Sequence, residues 1–303
     1  MGHTGVKIFE TMMRPLQCLP LKFHYGWGKM VSGFLKNVMH YRRDEIMINI
    51  ARSFPDKKYK EVKQIADGFY EHFGEIFAET WWFGGLGGRI DKLKQQHLID
   101  VANMDDLRRL FNNSPSVMLI TSHYGNWELI GGMFEFDDKE PKVESTLNAN
   151  DICVVYKELK SKFWDEYIGH NRCAVLHDFH GYTESMKVLR YAVEHRNTKK
   201  VYVFPTDQFP YGKAARYEIP SFMNQKTYAM TGAITLARKF GMSVVYMSMD
   251  RIEKGKYTVT FKTVSEDASK EEVGTLTERY YKILEEDINR YPENYLWSHK
   301  RWK

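Results

Sequence analysis

The segment Val117-Met118-Leu119-Ile120-Thr121-Ser122-His123-Tyr124-Gly125-Asn126-Trp127-Glu128 indicates both the fold and a candidate site. Its first four residues form an apolar run of the kind found in buried strands of α/β sheets. Gly125 lets the chain turn after this strand, and Asn126 is a favourable N-cap for a following helix. His123 is therefore expected in the loop at the carboxyl end of a strand, where open α/β sheets bind ligands.

From about residue 115 onward, short apolar segments alternate with helical ones. The predicted strands cover residues 117–121, 152–156, 173–176, 201–204, 243–248 and 257–263. The predicted helices cover residues 127–135, 158–170, 182–195, 226–240 and 270–290, and two earlier ones cover residues 40–53 and 57–82. This alternation predicts an α/β fold with a central, mostly parallel sheet flanked by helices.

The first 40 residues combine basic residues with many apolar and aromatic ones. They are too polar to span a bilayer but are suited to lie in its interface. We therefore predict an amphipathic membrane-interface arm over residues 1–40 and an α/β domain over residues 41–303. A helical arm packed on the domain fits the same apolar pattern.

The composition limits the class of protein. The 303 residues are 43% hydrophobic and 27% charged, which excludes a disordered chain. The net charge of +5 favours an anionic partner such as lipid headgroups, an acidic carrier protein or nucleic acid. Three cysteines without metal-type spacing indicate free thiols in a reducing compartment. We find no apolar run long enough to span a membrane and no secretory signal, so we expect the protein on the cytosolic side.

The spacing of His123 and Glu128 is typical of a general base and a carboxylate that orients it. Residues five apart point about 140° away from each other on a helix, so His123 belongs in the loop and Glu128 in the first helical turn. A carboxylate on one ring nitrogen leaves the other free to accept a proton from a substrate hydroxyl or amine. A chance pair with no catalytic role has the same spacing.

Five further stretches accompany the segment at His123: Asn49–Pro55, Val155–Lys157 with the later Arg172, Asp207-Gln208, Phe222–Gly232 and the ending Trp297–Lys303. In their order along the chain, these six stretches resemble the bacterial lipid A biosynthesis acyltransferases of the lysophospholipid acyltransferase superfamily. The segment at His123 resembles the family's His-x4-(Asp/Glu) motif. The resemblance covers residues 40–303 and implies a glycerolipid acyltransferase-like fold.

The resemblance implies transfer of a fatty acyl chain from a thioester donor to a hydroxyl of a lipid A precursor. The donor would be acyl carrier protein or acyl-coenzyme A, with His123 as the base and Glu128 as its orienting residue. It implies an enzyme on the cytoplasmic face of the bacterial inner membrane, peripheral or monotopic. No metal, other cofactor or nucleic acid is implied.

The resemblance also predicts the residues that bind substrate: Asn126, Lys157, Arg172, Asp207 and Gln208. Arg172 could instead be a cation at a helix end, and Asp207-Gln208 could be a solvated turn. The basic and aromatic ending could bind anionic lipid or an acidic carrier, or pack as a last turn.

The chain departs from the family pattern at Lys157, Glu158 and Asn224, where arginine, proline and glycine are usual. An arginine-to-lysine change loses the bidentate fork that suits phosphate. An aminolipid or lysophospholipid acceptor is therefore an alternative. A non-catalytic basic module that binds membrane or RNA is a more distant one.

Three histidines and an aspartate are candidate metal ligands: His177, Asp178, His180 and His195. Its spacing matches no established ligand pattern. We therefore expect no metal.

Overall fold

The computed structural model describes residues 3–137, 139–175, 182–185, 187–210, 214 and 216–303. The helices are α1 (His3–Gln17), α2 (Leu21–Asn37), α3 (Arg43–Ser53), α4 (Tyr59–Gly84), α5 (Ile90–Gln96), α6 (Met104–Asn113), α7 (Met133–Phe136), α8 (Lys162–Arg172), α9 (Val188–Glu194), α10 (Gly232–Phe240) and α11 (Val273–Arg290). The strands are β1 (Ile99–Val101), β2 (Val117–Thr121), β3 (Ile152–Tyr156), β4 (Tyr182–Glu184), β5 (Val201–Pro205), β6 (Arg216–Phe222), β7 (Gln225–Met230), β8 (Ser243–Glu253) and β9 (Lys256–Ser265).

Within these ranges, seven strands form one sheet in the order β1-β9-β8-β2-β5-β3-β4. β8 and β9 are antiparallel, whereas the other neighbouring pairs are parallel. β2 lies at the centre with all five residues buried, which explains why its sequence is a continuous apolar run. The predicted α/β fold is confirmed.

The strand order brings the site together. β2 pairs in parallel with β5, and the register places Thr121 opposite Pro205. The residues that follow each strand therefore emerge side by side at the same edge of the sheet. His123 follows one strand, and Asp207 follows the other.

Several predicted elements differ from the structure. Residues 173–175 form a turn rather than a strand, and residue 176 lies outside the described residues. The predicted helix 182–195 is β4 followed by α9, and the predicted helix 127–135 is a 3-10 helix at Trp127–Gly132 followed by α7. The predicted helix 226–240 begins as β7 and becomes α10 only at Gly232. β7 alternates buried and exposed residues and pairs with β6 through a turn in which Met223 and Asn224 both have positive φ.

The N-terminal helices pack on the domain with one face each. α2 lies against α4 so closely that a Cβ added at Gly28 would be 2.3 Å from the carbonyl oxygen of Gly74. The outward faces of α1 and α2 remain apolar, with Ile8, Met12, Leu16, Phe23, Trp27, Met30 and Phe34 exposed. In the described part of the chain, every helix is too short or too polar to cross a membrane.

Candidate active site

His123 and Asp207 meet at the carboxyl ends of β2 and β5. The Nδ1 of His123 lies 2.7 Å from Oδ1 of Asp207, and the backbone N–H of His123 donates to Oδ2 of the same carboxylate at 3.0 Å. The backbone N–H of Thr206 donates to the carbonyl of Thr121 at 3.1 Å and extends the pairing of the two strands up to the site. Asp207 thus fixes both the ring and the backbone of His123.

This pair polarises the histidine for accepting a proton. Burial raises the pKa of Asp207, but the charge of His123 and its hydrogen bonds outweigh this and lower the pKa overall. Burial lowers the pKa of His123, but the charge and hydrogen bond of Asp207 and the charge of Glu128 raise it above its ordinary value. With Nδ1–H donated to Asp207, Nε2 carries the lone pair, and the Gln208 amide nitrogen lies 3.2 Å from it.

Glu128 does not occupy the position expected of the orienting carboxylate. Its two oxygens form a bidentate pair with Nε and Nη2 of Arg172, each at 2.8 Å, and Oε1 also accepts from Nε1 of Trp127 at 3.0 Å. The expected contact between Glu128 and a ring nitrogen of His123 is therefore corrected: Asp207 makes it. The reason is topological, because the adjacent strand β5 delivers Asp207 beside the ring.

The loop from His123 to Glu128 has the local structure that its sequence predicts. Gly125 has a φ of +73° and lies so close to Met249 that a Cβ would be 2.2 Å from its carbonyl oxygen. Asn126 caps the 3-10 helix by accepting from the N–H of Glu128 at 3.1 Å. The ring of Trp127 packs edge-on against His123, with 5.0 Å between the centroids.

A cavity of about 1220 Å³ opens at this edge of the sheet. His123, Glu128, Lys157, Arg172 and Gln208 line it. The predicted substrate-binding residues Asn126 and Asp207 do not, since both are buried behind its wall. Much of the remaining described wall is apolar and comes from β3, β5, α9 and α10, including Val154, Val203, Leu189, Ala233 and Leu236.

Helix α4 supports the loop from His123 to Glu128 through side chains that the sequence analysis did not identify. His72 Nε2 lies 3.2 Å from the carbonyl oxygen of Gly125, and Glu79 accepts from the Asn126 amide at 2.7 Å. Glu79 also accepts from Tyr25 and Tyr257, each at 2.7 Å. Burial raises the pKa of Glu79 to about 7, partly offset by these hydrogen bonds.

Polar residues at helical spacing in the mostly apolar second half of α4 could have revealed this support. His72, Glu75 and Glu79 lie three and then four positions apart, so they share one face of α4. All three are buried, and Glu75 forms a bidentate pair with Arg251.

Of the residues considered as metal ligands, 177, 178 and 180 lie outside the described residues. His195 stacks on Tyr191 with 3.9 Å between the ring centroids. Among the described residues, no group of three or more histidine, cysteine or acidic side chains could hold a metal ion.

The basic and aromatic ending packs into the domain. Trp297 and Arg301 are buried, whereas Lys300 is exposed. The residues just before it hold the loop at His123, because the N–H of Leu296 donates to the carbonyl of His123 and the N–H of Gly125 donates to that of Asn294, both at 3.0 Å. Of the two alternatives for the ending, the burial of Trp297 and Arg301 agrees with packing.

Comparison with known proteins identifies the family. The sequence model of one protein family, the bacterial lipid A biosynthesis acyltransferases, matches residues 4–303. The lipid A biosynthesis palmitoleoyltransferase of Escherichia coli (strain K12) is 24% identical over 282 residues, covering 91% of this chain and 82% of the relative. The lipid A biosynthesis acyltransferase of Shigella flexneri gives the same values, and the lauroyltransferase of Escherichia coli (strain K12) is 23% identical over 92% of this chain and 83% of its own length. The chain is an acyltransferase and belongs to the bacterial lipid A biosynthesis acyltransferase family.

Proposed function

We propose that the protein transfers a fatty acyl chain from a thioester donor to a hydroxyl of a lipid A precursor, with His123 as the general base. The observation that carries this proposal is the His123–Asp207 pair, whose other ring nitrogen, Nε2, belongs to a residue that lines the cavity. The names of the relatives support the acceptor, since each is described as a lipid A biosynthesis enzyme.

In the proposed reaction, Nε2 of His123 removes the proton of the acceptor hydroxyl while its oxygen attacks the thioester carbonyl. Asp207 stabilises the imidazolium that forms, because its carboxylate already accepts from Nδ1. The tetrahedral intermediate then collapses, the carbon–sulfur bond breaks, and the imidazolium returns its proton to the departing thiolate. The products are the acylated lipid and the free thiol, and His123 is neutral again.

Glu128 and Arg172 take a different role in this mechanism from the one predicted for Glu128. Because the two form a bidentate pair at the cavity wall, we propose that they place the acceptor beside Nε2 rather than orient the ring. Glu128 still favours the imidazolium through its charge. The apolar wall of the cavity suits the acyl chain of the donor, for which acyl carrier protein is the proposed carrier and acyl-coenzyme A the alternative.

An aminolipid or lysophospholipid acceptor remains the second candidate because of one observation. Lys157 and Glu158, two of the departures from the family pattern, line the cavity. The third departure has a local explanation: Asn224 sits in the β6–β7 turn with a φ of 60°, a conformation that asparagine adopts more readily than most residues.

We further propose that α1 and α2 rest on the surface of the cytoplasmic leaflet. The exposed apolar residues of α2 recur at Phe23, Trp27, Met30 and Phe34, which is one helical stripe. Residues 3–37 contain five basic residues and one acidic residue, Glu10. A stripe of this kind with flanking cations suits an interface rich in anionic lipid.

The test is acyl transfer by the purified protein and its His123→Ala variant. Dodecanoyl–acyl carrier protein and dodecanoyl-coenzyme A are offered with a lipid A precursor, an aminolipid or a lysophospholipid, and products are measured by mass spectrometry. The variant should lose transfer while its thermal unfolding midpoint is unchanged. His170→Ala, an exposed histidine at the cavity rim, is the matched control and should stay active. Normal activity of His123→Ala would overturn the proposal. Transfer only to the aminolipid or the lysophospholipid would show that the acceptor is not a lipid A precursor.

A further inference from the structure

Arg301 is a buried cation in the C-terminal segment. Its side chain is 1% exposed, and its guanidinium lies 5.6 Å from the ring centroid of Phe222 and 5.2 Å from that of Tyr281. It donates to the hydroxyl of Thr227 at 2.6 Å, to the carbonyl of Tyr228 at 2.8 Å and to the hydroxyl of Tyr281 at 2.8 Å. All of these acceptors are neutral.

Burying a cation among neutral partners alone is costly, so we expect a further group on which the charge of Arg301 acts. The Nε of Arg301 is buried without a hydrogen-bond partner among the described residues. The same described set contains no carboxylate in a salt bridge with it. Its charge nevertheless acts on Asp207: burial raises the pKa of Asp207, and the charges of His123 and of Arg301 lower it.

A continuous chain of hydrogen bonds connects Arg301 to the catalytic pair. The guanidinium donates to the hydroxyl of Tyr281, which in turn donates to the carbonyl of Thr206 at 3.1 Å. Thr206 precedes Asp207 and is itself bonded to Thr121 at the end of β2. Through this chain the position of Arg301 sets the backbone that carries the Asp207 carboxylate.

The other titratable groups that face the pair from the C-terminal side are neutral at pH 7. Burial lowers the pKa of His299 to about 4, so its imidazole carries no charge. Burial raises the pKa of Tyr280, Tyr281 and Tyr295, which therefore keep their protons. Among the described residues, the charged groups that shift the pKa of His123 or Asp207 include Arg301 and the Glu128–Arg172 pair on the cavity side, whereas the lysines at 300 and 303 are exposed.

We propose that Arg301 is a positioning residue for acyl transfer: through Tyr281 and the Thr206 carbonyl it holds Asp207 against His123, and its charge opposes protonation of the pair. This inference rests on the proposed function, since it assumes that His123 is the base. It gives the buried end of the chain a role in the reaction rather than in folding alone.

The first test follows the titration of His123 without any substrate. The full-length protein is labelled with [¹³Cε1]histidine, and the His123 resonance is assigned by its absence from His123→Ala. Arg301→Met removes the charge but keeps an unbranched apolar side chain, so His123 should titrate about one pH unit higher than in the wild type, as expected for loss of a cation near a buried pair. Arg301→Lys keeps the charge and should titrate as the wild type does.

An unchanged His123 titration in folded Arg301→Met overturns the electrostatic part, because a merely structural arginine would not move it. This titration needs no substrate, so it can be read even if the protein acylates none of the acceptors offered. A failure of the proposed function is therefore recognised separately. If Arg301→Met does not fold, Tyr281→Phe decides. It keeps the ring and the cation but breaks the hydrogen-bond chain, so kcat should fall about tenfold while KM is unchanged. A wild-type kcat in folded Tyr281→Phe overturns the proposal.

Discussion

The substitution Asp207→Asn tests which of two carboxylates, Asp207 or Glu128, orients His123. The Asp207 carboxylate accepts from two N–H groups of the same residue, Nδ1 at 2.7 Å and the backbone nitrogen at 3.0 Å. An asparagine has one carbonyl oxygen, so its amide group must face one of these two donors. The substitution therefore removes the charge and leaves a donor opposite a donor, while the volume of the side chain is unchanged.

The size of the effect follows from the charge that develops on His123. In the transition state the imidazolium lies beside the Asp207 carboxylate, with the charge centres about 4 Å apart. At an effective dielectric constant of about 20, this pair contributes about 4 kcal/mol. Loss of that stabilisation slows the chemical step by about 10³-fold. We therefore expect kcat of Asp207→Asn to fall by about three orders of magnitude.

The pH dependence gives an independent check on the same substitution. Burial lowers the pKa of His123, and the charge of Asp207 is the largest influence that raises it above its ordinary value. The base must be neutral, so kcat/KM rises with pH through the pKa of His123. Removing the Asp207 charge should move this acidic limb to lower pH.

Glu128→Gln is the matched control, because it removes the other carboxylate and its pair with Arg172. It should raise KM for the acceptor and lower kcat much less than Asp207→Asn. The measurement is the pH profile of kcat and kcat/KM for both variants. The assignment of Asp207 as the orienting residue fails if Asp207→Asn keeps kcat within tenfold of the wild type, or if Glu128→Gln alone produces the large loss.

Three further predictions concern the packing of α2 on α4, the protonation of Glu79 and the membrane contact of α2. Gly28→Ala places a Cβ 2.3 Å from the carbonyl oxygen of Gly74, so overpacking of about 3 kcal/mol should exceed the gain of about 1 kcal/mol in helix propensity and lower the free energy of urea unfolding by about 2 kcal/mol. Gly33→Ala in the same helix meets nothing within 4 Å and should instead stabilise by about 1 kcal/mol; destabilisation of both would refute the close-contact explanation. Burial raises the pKa of Glu79 from 4.5 to about 7, so the folded state holds a proton that the unfolded state releases. The wild type should lose about 3 kcal/mol of stability relative to Glu79→Gln as pH rises from about 4.5 to about 7, and a difference independent of pH would contradict this. Trp27→Glu should reduce cosedimentation with phosphatidylglycerol vesicles at least tenfold, whereas Tyr59→Glu, which changes another exposed aromatic residue on α4, should not; equal effects of the two would argue against the α2 face as the contact.

The local features of the site could be predicted from the sequence because they depend on short-range chemistry. β2 has the predicted limits, since an apolar run bounded by polar residues specifies a buried strand. The positive φ of Gly125 and the cap by Asn126 follow from the conformational preferences of those residue types. His123 and Asp207 were each placed correctly at the end of a strand.

The partner of His123 could not be predicted in this way, since it depends on which strands are neighbours. β2 and β5 are separated by more than seventy residues and by β3 and β4 along the chain, yet they pair directly. Proximity in sequence favoured Glu128, whereas proximity in the sheet selects Asp207. The error in β7 has a similar origin: its residues alternate in burial only because the turn at Met223 and Asn224 pairs them with β6.

The different positions of Asp207 and Glu128 also explain why the site contains two carboxylates. Asp207 is buried behind the cavity wall and accepts from His123 twice, so it can hold the ring in one tautomer without meeting substrate. Glu128 lines the cavity, and both of its oxygens are paired with Arg172. The proposed mechanism therefore gives the two carboxylates different tasks: Asp207 orients and stabilises His123, and the Glu128–Arg172 pair faces the acceptor. The spacing from His123 to Glu128 places two groups on the same cavity wall, and the neighbouring strand supplies the carboxylate that contacts the histidine.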